Sequence, residues 1–195
     1  MKTAVKPKTC KVCRAKFDPR QPMATVCSPG CALSLAQSKR AKAEKVAQVK
    51  ERKADRVKRE KLKTKGDWTR EAQAAFNAFI RARDAGKPCI CCGRTGAGEV
   101  HGGEWDAGHY RSRGAAPHLR FDERNVHAQL KQCNRYASGN VVGYRLGLIA
   151  RIGRAALDEL ESDQEPRHYS IEQLRGIKAH YASLARALKK AAGHG

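Results

Sequence analysis

The sequence predicts an α+β fold that is mostly helical: an N-terminal four-cysteine module, a long basic helix, a core in which a hairpin meets helices, and flanking helices. Three observations carry this. Four cysteines fall as two close pairs near the N-terminus. A run from Ala32 to Lys65 lacks proline and glycine. Stretches of helical periodicity flank a glycine-rich segment. The chain divides into residues 1–35, 36–66, 67–162 and 163–195.

The chain has 195 residues, room for one domain or two small ones. It carries 40 Lys and Arg against 19 Asp and Glu, a net charge of +21. So basic a balance predicts a polyanionic partner, most often nucleic acid. No stretch reaches the roughly 20 apolar residues of a membrane span, so no membrane is expected as partner. The start, "MKTAVKPKTC", is interrupted by Pro7 and Cys10 where a signal peptide needs an apolar run. A cytosolic setting is expected, in which the eight cysteines stay reduced. Reduced cysteines in close pairs are metal ligands more often than disulfides.

In residues 1–35, "CKVC" and "CSPGC" place Cys10, Cys13, Cys27 and Cys31 at a spacing that closes a tetrahedral Zn²⁺ site, with Phe17 and Val26 beside it. Residues 36–66 form a basic helical arm. From Lys39 to Lys65 there are thirteen basic and four acidic residues, and Val46, Val49, Val57 and Leu62 make only a thin apolar stripe. This predicts a solvated helix. It is either a charged spacer or a DNA-binding arm whose Lys53, Arg56, Lys58 and Arg59 follow phosphates.

Residues 67–162 open with "DWTREAQAAFNAFIRARDAG", an amphipathic helix capped by Asp67 and stopped by Gly86. Trp68, Ala72, Ala75, Phe76, Phe79 and Ile80 share its apolar face. "CICCG" reads as a tight knuckle. "EVHGGEWDAGHYRSRG" reads as a hairpin with an extended loop, and "DERNVHAQLKQCNRYASGN" resumes helical spacing. A further helix is expected from Val142 to Leu160, burying Tyr144, Leu148, Ile152, Ala156 and Leu160. In residues 163–195 a capping box, Ser170 and Gln173, starts a last helix. Its Ile171, Leu174, Ile177, Tyr181, Leu184 and Leu188 should pack on the core or on a second copy.

The stretch "WDAGHYRSRG" is chemically dense. A hydrolytic phosphodiesterase needs a base, a cation for the scissile phosphate and a rigid frame. His109 suits the base, because an unperturbed histidine titrates near pH 6.5. Oxygen ligands such as the Asp106 carboxylate suit a hard cation, Mg²⁺ or Mn²⁺. Asn125, Cys133 and Asn134 follow, and Cys89, Cys92 and Cys133 could fasten the hairpin to the segment after it through Zn²⁺. Arg111 and Arg113 are candidate phosphate clamps. His101, His118 and His127 read as surface or structural histidines.

The order CxxC, His, Asn, Cys-Asn resembles the ββα-metal, or HNH, endonucleases. More narrowly, "DWTREAQAAFNAFIRARDAGKPCICCGR", "DAGHYRSRG", "LRFDERNVHAQ" and "CNRYASGN" resemble the phage NinG (Rap) recombination proteins, over nearly the whole chain. The resemblance implies an HNH-like nuclease core in a phage-infected bacterial cytoplasm. It implies a structure-specific endonuclease acting on branched DNA, Holliday junctions and D-loops. Matched by position, His109 becomes the general base and Asn125 the residue that braces the loop and the base. Asn134 becomes a metal ligand, with Asp106 the nearest carboxylate as second ligand. The HNH pattern commonly has its acid immediately before the histidine, where this chain has Gly108. Symmetric cutting of a four-way junction would call for a homodimer, which the sequence itself does not mark.

Two rival readings share the composition. One is a zinc-containing protein that binds DNA without cutting it, which has no need of the His, Asn, Cys-Asn order. The other is an RNA-binding protein, disfavoured by the scarcity of aromatic residues on which bases could stack. The second zinc site also looks short of a ligand. The family commonly has a cysteine where this chain has Leu130. Cys91 is expected to point away from its neighbours' site, and His127 is awkwardly placed. Three thiolates predict weak zinc binding or none.

Overall fold

The computed structural model describes residues 6–95 and 104–193. His101 and the start of the expected hairpin, "EVHGG", lie outside them. The chain separates into two compact units, residues 1–62 and 63–195.

In the first unit, strand β1 (Lys8–Thr9) pairs antiparallel with β2 (Lys16–Phe17). Helix α1 (Pro29–Lys61) then runs unbroken for 33 residues, about 50 Å at 1.5 Å per residue. It starts inside the cysteine module because Ser28 accepts a hydrogen bond from the Cys31 N–H and Pro29 occupies the first turn. No residue of α1 is buried, as the thin apolar stripe implied.

The second unit is built on a hairpin held between two apolar layers. Helix α2 (Lys65–Arg83) begins at Thr64, and Asp67 closes a capping box from the third helical position. Asp67 is therefore not the N-cap expected from sequence, because the threonine three residues earlier takes that place and uses its carboxylate. Helix α5 (Ile171–Ala192) starts at the expected capping box, Ser170 with Gln173. Its Leu174, Ile177, Tyr181 and Leu184 pack against Phe76, Phe79 and Ile80 of α2, so the face meets the core.

Strand β3 (Trp105–His109) pairs antiparallel with β4 (Val126–Leu130), in the register Gly108 to His127 and His109 to Val126. The segment after Asn125 is thus a strand where helical spacing was expected. It reads as helix because four of its five residues are buried, leaving no polar–apolar alternation. A short π-helical turn, Gln132–Tyr136, follows. It cannot continue, since Ser138, Gly139 and Asn140 all have positive φ. One face of the hairpin, with Phe121 and Val126, meets α2 and α5. Trp105 and Ala128 meet Tyr144, Leu148, Leu157 and Leu160 on the other.

The expected single helix from Val142 to Leu160 is two, α3 (Val141–Ile152) and α4 (Arg154–Ser162). Gly153 divides them with φ 84° and ψ 161°, a conformation that glycine alone adopts without strain. The Tyr144 hydroxyl ties α3 to the hairpin, donating to the Gly108 carbonyl at 2.7 Å and accepting from the His127 N–H at 2.9 Å.

Asp84, just past α2, fastens the same layers. It is 2% exposed. Its carboxylate accepts from Arg83, from Lys87 and from the Ala128 N–H. Burial favours the neutral acid, but His127, Arg83 and the Ala128 amide outweigh it and hold the carboxyl below its usual range. His127 is a buried member of this network, and His118 is buried with Nε2 2.9 Å from the Asp163 carbonyl. Of the surface or structural placement expected for them, both take the buried one. No helix among the described residues is long and apolar enough to cross a membrane.

Candidate functional site

Two four-cysteine clusters and one polar cleft hold the chemistry. In the first cluster the sulfurs of Cys10, Cys13, Cys27 and Cys31 all lie within 4.8 Å of one another. The Cys13–Cys27 and Cys27–Cys31 separations are 3.4 and 3.6 Å. Tetrahedral thiolates at 2.3 Å from zinc stand roughly 3.8 Å apart, so the donor set fits. Burial would raise the Cys10 thiol, but the N–H groups of Cys13, Val12 and Cys27 overcome it and bring its pKa to about 6.

The second cluster corrects the sequence reading. Cys91 does not point away: Cys89, Cys91, Cys92 and Cys133 gather their sulfurs within 4.8 Å. Cys89 and Cys91 are 3.6 Å apart, as are Cys92 and Cys133. The knuckle curls so tightly, with Gly93 at φ 68°, that three of its cysteines face one point. Leu130, in place of the expected cysteine, contributes its backbone N–H to the Cys89 sulfur at 3.3 Å. Four soft donors fit zinc here too, so the expected shortage of ligands disappears. Both clusters could hold a metal ion.

The cleft has a volume of about 380 Å³. It brings together Asp106 and His109 of β3, Arg113 of the following loop and Asn134 and Arg135 of the π-helical turn. Asn77 and Arg81 of α2 form its far wall. His109 Nε2 lies 3.2 Å from the Arg120 carbonyl. A carbonyl only accepts, so Nε2 carries the proton and Nδ1 keeps its lone pair. Burial brings the His109 pKa down to about 4, against the pull of the Arg120 carbonyl and with help from the charges of Arg113 and Arg120. The imidazole is therefore neutral at physiological pH.

Asp106 and Asn134 stand side by side, with the Asn134 amide donating to Asp106 Oδ2 at 3.0 Å. Arg135 grips the same carboxylate at 2.9 and 3.2 Å. In donor type the pair fits a hard cation, which usually takes one or two protein ligands and completes its shell with water and phosphate.

The residue before His109 is glycine for a steric reason. A Cβ on Gly108 would sit 2.1 Å from Gln129 Oε1 of the paired strand. An acid there would have to displace Gln129, and Asp106 is the carboxylate this strand carries.

Asn125 is fully buried and does not line the cleft. Its Oδ1 accepts from the Arg111 N–H at 2.8 Å, and its Nδ2 donates to the carbonyls of Arg111 and Leu119. It braces the loop that leaves His109. Arg111 turns its guanidinium to the Glu161 carbonyl at 3.1 Å, so only Arg113 of the two candidate clamps reaches the cleft. Lys53, Arg56, Lys58 and Arg59 are exposed along α1. Asn77 and Arg81 escaped the sequence reading. Their signal was a four-residue spacing, Gln73, Asn77, Arg81, along the border of the apolar face of α2.

Fold and site together define a basic protein of two units with two four-cysteine clusters that could hold metal and one histidine–aspartate–asparagine cleft. The family model described as "Bacteriophage Lambda NinG protein" matches residues 2–191, and the chain belongs to this family. It is 43% identical to Protein ninG of Salmonella phage P22 over 188 residues, 91% of this chain and 90% of that protein. It is 42% identical over 188 residues to Protein ninG of Escherichia phage lambda, with the same coverage of 91% and 90%. It is 41% identical over 191 residues to that of Escherichia phage 933W, covering 92% of each. No solved structure matches the chain.

Proposed function

We infer that the chain is a metal-dependent endonuclease with an HNH-like core, which hydrolyses phosphodiesters in branched DNA such as Holliday junctions and D-loops. The observation that carries this is the convergence in one cleft of His109, the adjoining Asp106 and Asn134, and two arginines not tied to Asp106, Arg81 and Arg113. The branched substrate rests on the resemblance of the motifs to recombination proteins, and the charge of +21 supports a nucleic-acid partner of any kind.

A Mg²⁺ or Mn²⁺ ion held by Asp106 and Asn134 would supply charge for the scissile phosphate and the leaving oxygen. His109 takes the proton of the attacking water at Nδ1, since Nε2 is committed to the Arg120 carbonyl. Arg113 and Arg81 hold non-bridging phosphate oxygens. Asn125 keeps the loop after His109 in place. Zinc held by Cys10, Cys13, Cys27 and Cys31, and by Cys89, Cys91, Cys92 and Cys133, would stiffen the segments that carry those cysteines, and two copies would cut a junction symmetrically.

The test is incubation of matched four-way junction, D-loop and linear duplex with the protein across several divalent cations. Cutting of the branched substrates alone, lost in His109→Ala, is the expected outcome. Binding without cutting under every cation would leave a zinc-containing nucleic-acid binder.

A further inference from the structure

The geometry points to Arg135 as a gate on the cation site: its guanidinium occupies the Asp106 carboxylate and has to leave before that carboxylate can take a divalent cation. This rests on the reading of Asp106 and Asn134 as the cation ligands.

Both oxygens of Asp106 are engaged. Arg135 Nε lies 2.9 Å from Oδ2 and Nη2 lies 3.2 Å from Oδ1, while Asn134 Nδ2 shares Oδ2 at 3.0 Å. The carboxylate is already satisfied by a cation of the protein's own.

The two partners differ in freedom. The Asp106 side chain is 18% exposed and fixed on β3, whereas that of Arg135 is 57% exposed. The arginine can leave into solvent or onto a ligand while the carboxylate stays where it is. Ligand and competitor also share one π-helical turn, since Asn134 and Arg135 are consecutive and both line the cleft. Release of the Arg135 side chain alone therefore opens the carboxylate while Asn134 stays beside it.

The released guanidinium stands at the rim of a cleft that Arg81 and Arg113 also line. Planar guanidinium groups pair with phosphate as readily as with carboxylate. A cation on Asp106 and a phosphate on Arg135 therefore favour each other, because each draws on the same exchange. Without nucleic acid the carboxylate stays paired and the cation site is weak. A largely exposed guanidinium pair is a modest obstacle, so the affinity for cation should be lowered by about two- to fivefold.

The experiment is a titration of Mn²⁺ into the zinc-loaded protein without DNA, read by the loss of the free-ion paramagnetic signal. Thiolate clusters already filled with zinc do not exchange it for a harder ion. Arg135→Ala and Arg135→Gln should each bind Mn²⁺ about two- to fivefold more tightly than the unmodified chain, by the size of such pairs. Asp106→Asn should bind it much more weakly. If Asp106→Asn loses Mn²⁺ while neither Arg135 variant gains affinity, the gate is overturned and the ligand assignment survives. If Asp106→Asn binds Mn²⁺ like the unmodified chain, the ligand assignment falls and the gate with it. The glutamine variant keeps the bulk of the side chain, so a gain seen in both variants is not a repacking effect.

Discussion

His109 Nε2 lies 3.2 Å from the carbonyl oxygen of Arg120, a residue eleven positions further along the chain. A carbonyl only accepts, so this contact favours the tautomer with its proton on Nε2, and burial lowers the His109 pKa to about 4. If His109 is the base, cleavage should stay nearly level as pH falls through the ordinary histidine value near 6.5 and decline only toward pH 4. Stability behaves differently: the unfolded chain takes up a proton on His109 below about pH 6.5 that the folded chain refuses, so folding weakens as pH drops toward 4. A pH profile of kcat/KM on a four-way junction checks the first point, and an apparent pKa near 6.5 would remove His109 from the role. His109→Ala should cost roughly 10²–10⁴-fold in rate and leave junction binding nearly unchanged, because binding rests on dispersed Lys and Arg.

Asn125 should matter through position and stability rather than through chemistry. Asn125→Ala would strand the Arg111 N–H and leave the carbonyls of Arg111 and Leu119 without their shared donor. A loss of about 2–4 kcal/mol is expected, from the cost of buried groups left unpaired. Denaturant unfolding measures it, and a change under about 0.5 kcal/mol, the scale of neutral surface substitutions, would contradict the bracing role.

Cys91→Ser should lower the zinc content from about two to about one per chain, by the four-ligand rule. Leu130→Cys alone should add no zinc, since the second cluster already has four sulfurs. Placed in the Cys91→Ser background, it should restore the lost ion. Metal analysis by mass spectrometry reads all three, and full zinc content in Cys91→Ser would show that Cys91 is no ligand.

The arm offers a test by salt. Removing the charges of Lys53, Arg56, Lys58 and Arg59 should flatten the dependence of duplex binding on salt, by about 0.9 in log–log slope for each phosphate that the arm no longer neutralises. An unaltered slope would make α1 a spacer between the cysteine module and whatever the core holds.

Much of this molecule is written in local pattern. The two helices of the α2–α5 layer are visible because each buries one face, and burial of one helical face imposes a 3.6-residue rhythm on the sequence. The first cysteine cluster is visible because two pairs of thiols at short spacing have few uses other than a metal. His109, Asp106 and Asn134 are visible as residue types whose chemistry suits one reaction. Their meeting in one cleft is a matter of strand register.

What only the tertiary structure decided follows from contacts between distant segments. Val126–Leu130 carries no strand rhythm because helices cover both faces of the hairpin, so every position is apolar or tied into a buried polar network. Gly108 is glycine because Gln129, on the neighbouring strand, fills the space a side chain would need. Cys91 joins its cluster because the knuckle turns back on itself, a matter of backbone curvature to which cysteine spacing is blind. Asn77 and Arg81 become a wall of the cleft only when α2 lies across the hairpin. Sequence spacing states which residues one element can present together, and the packing of elements against one another chooses which of those presentations face the same space.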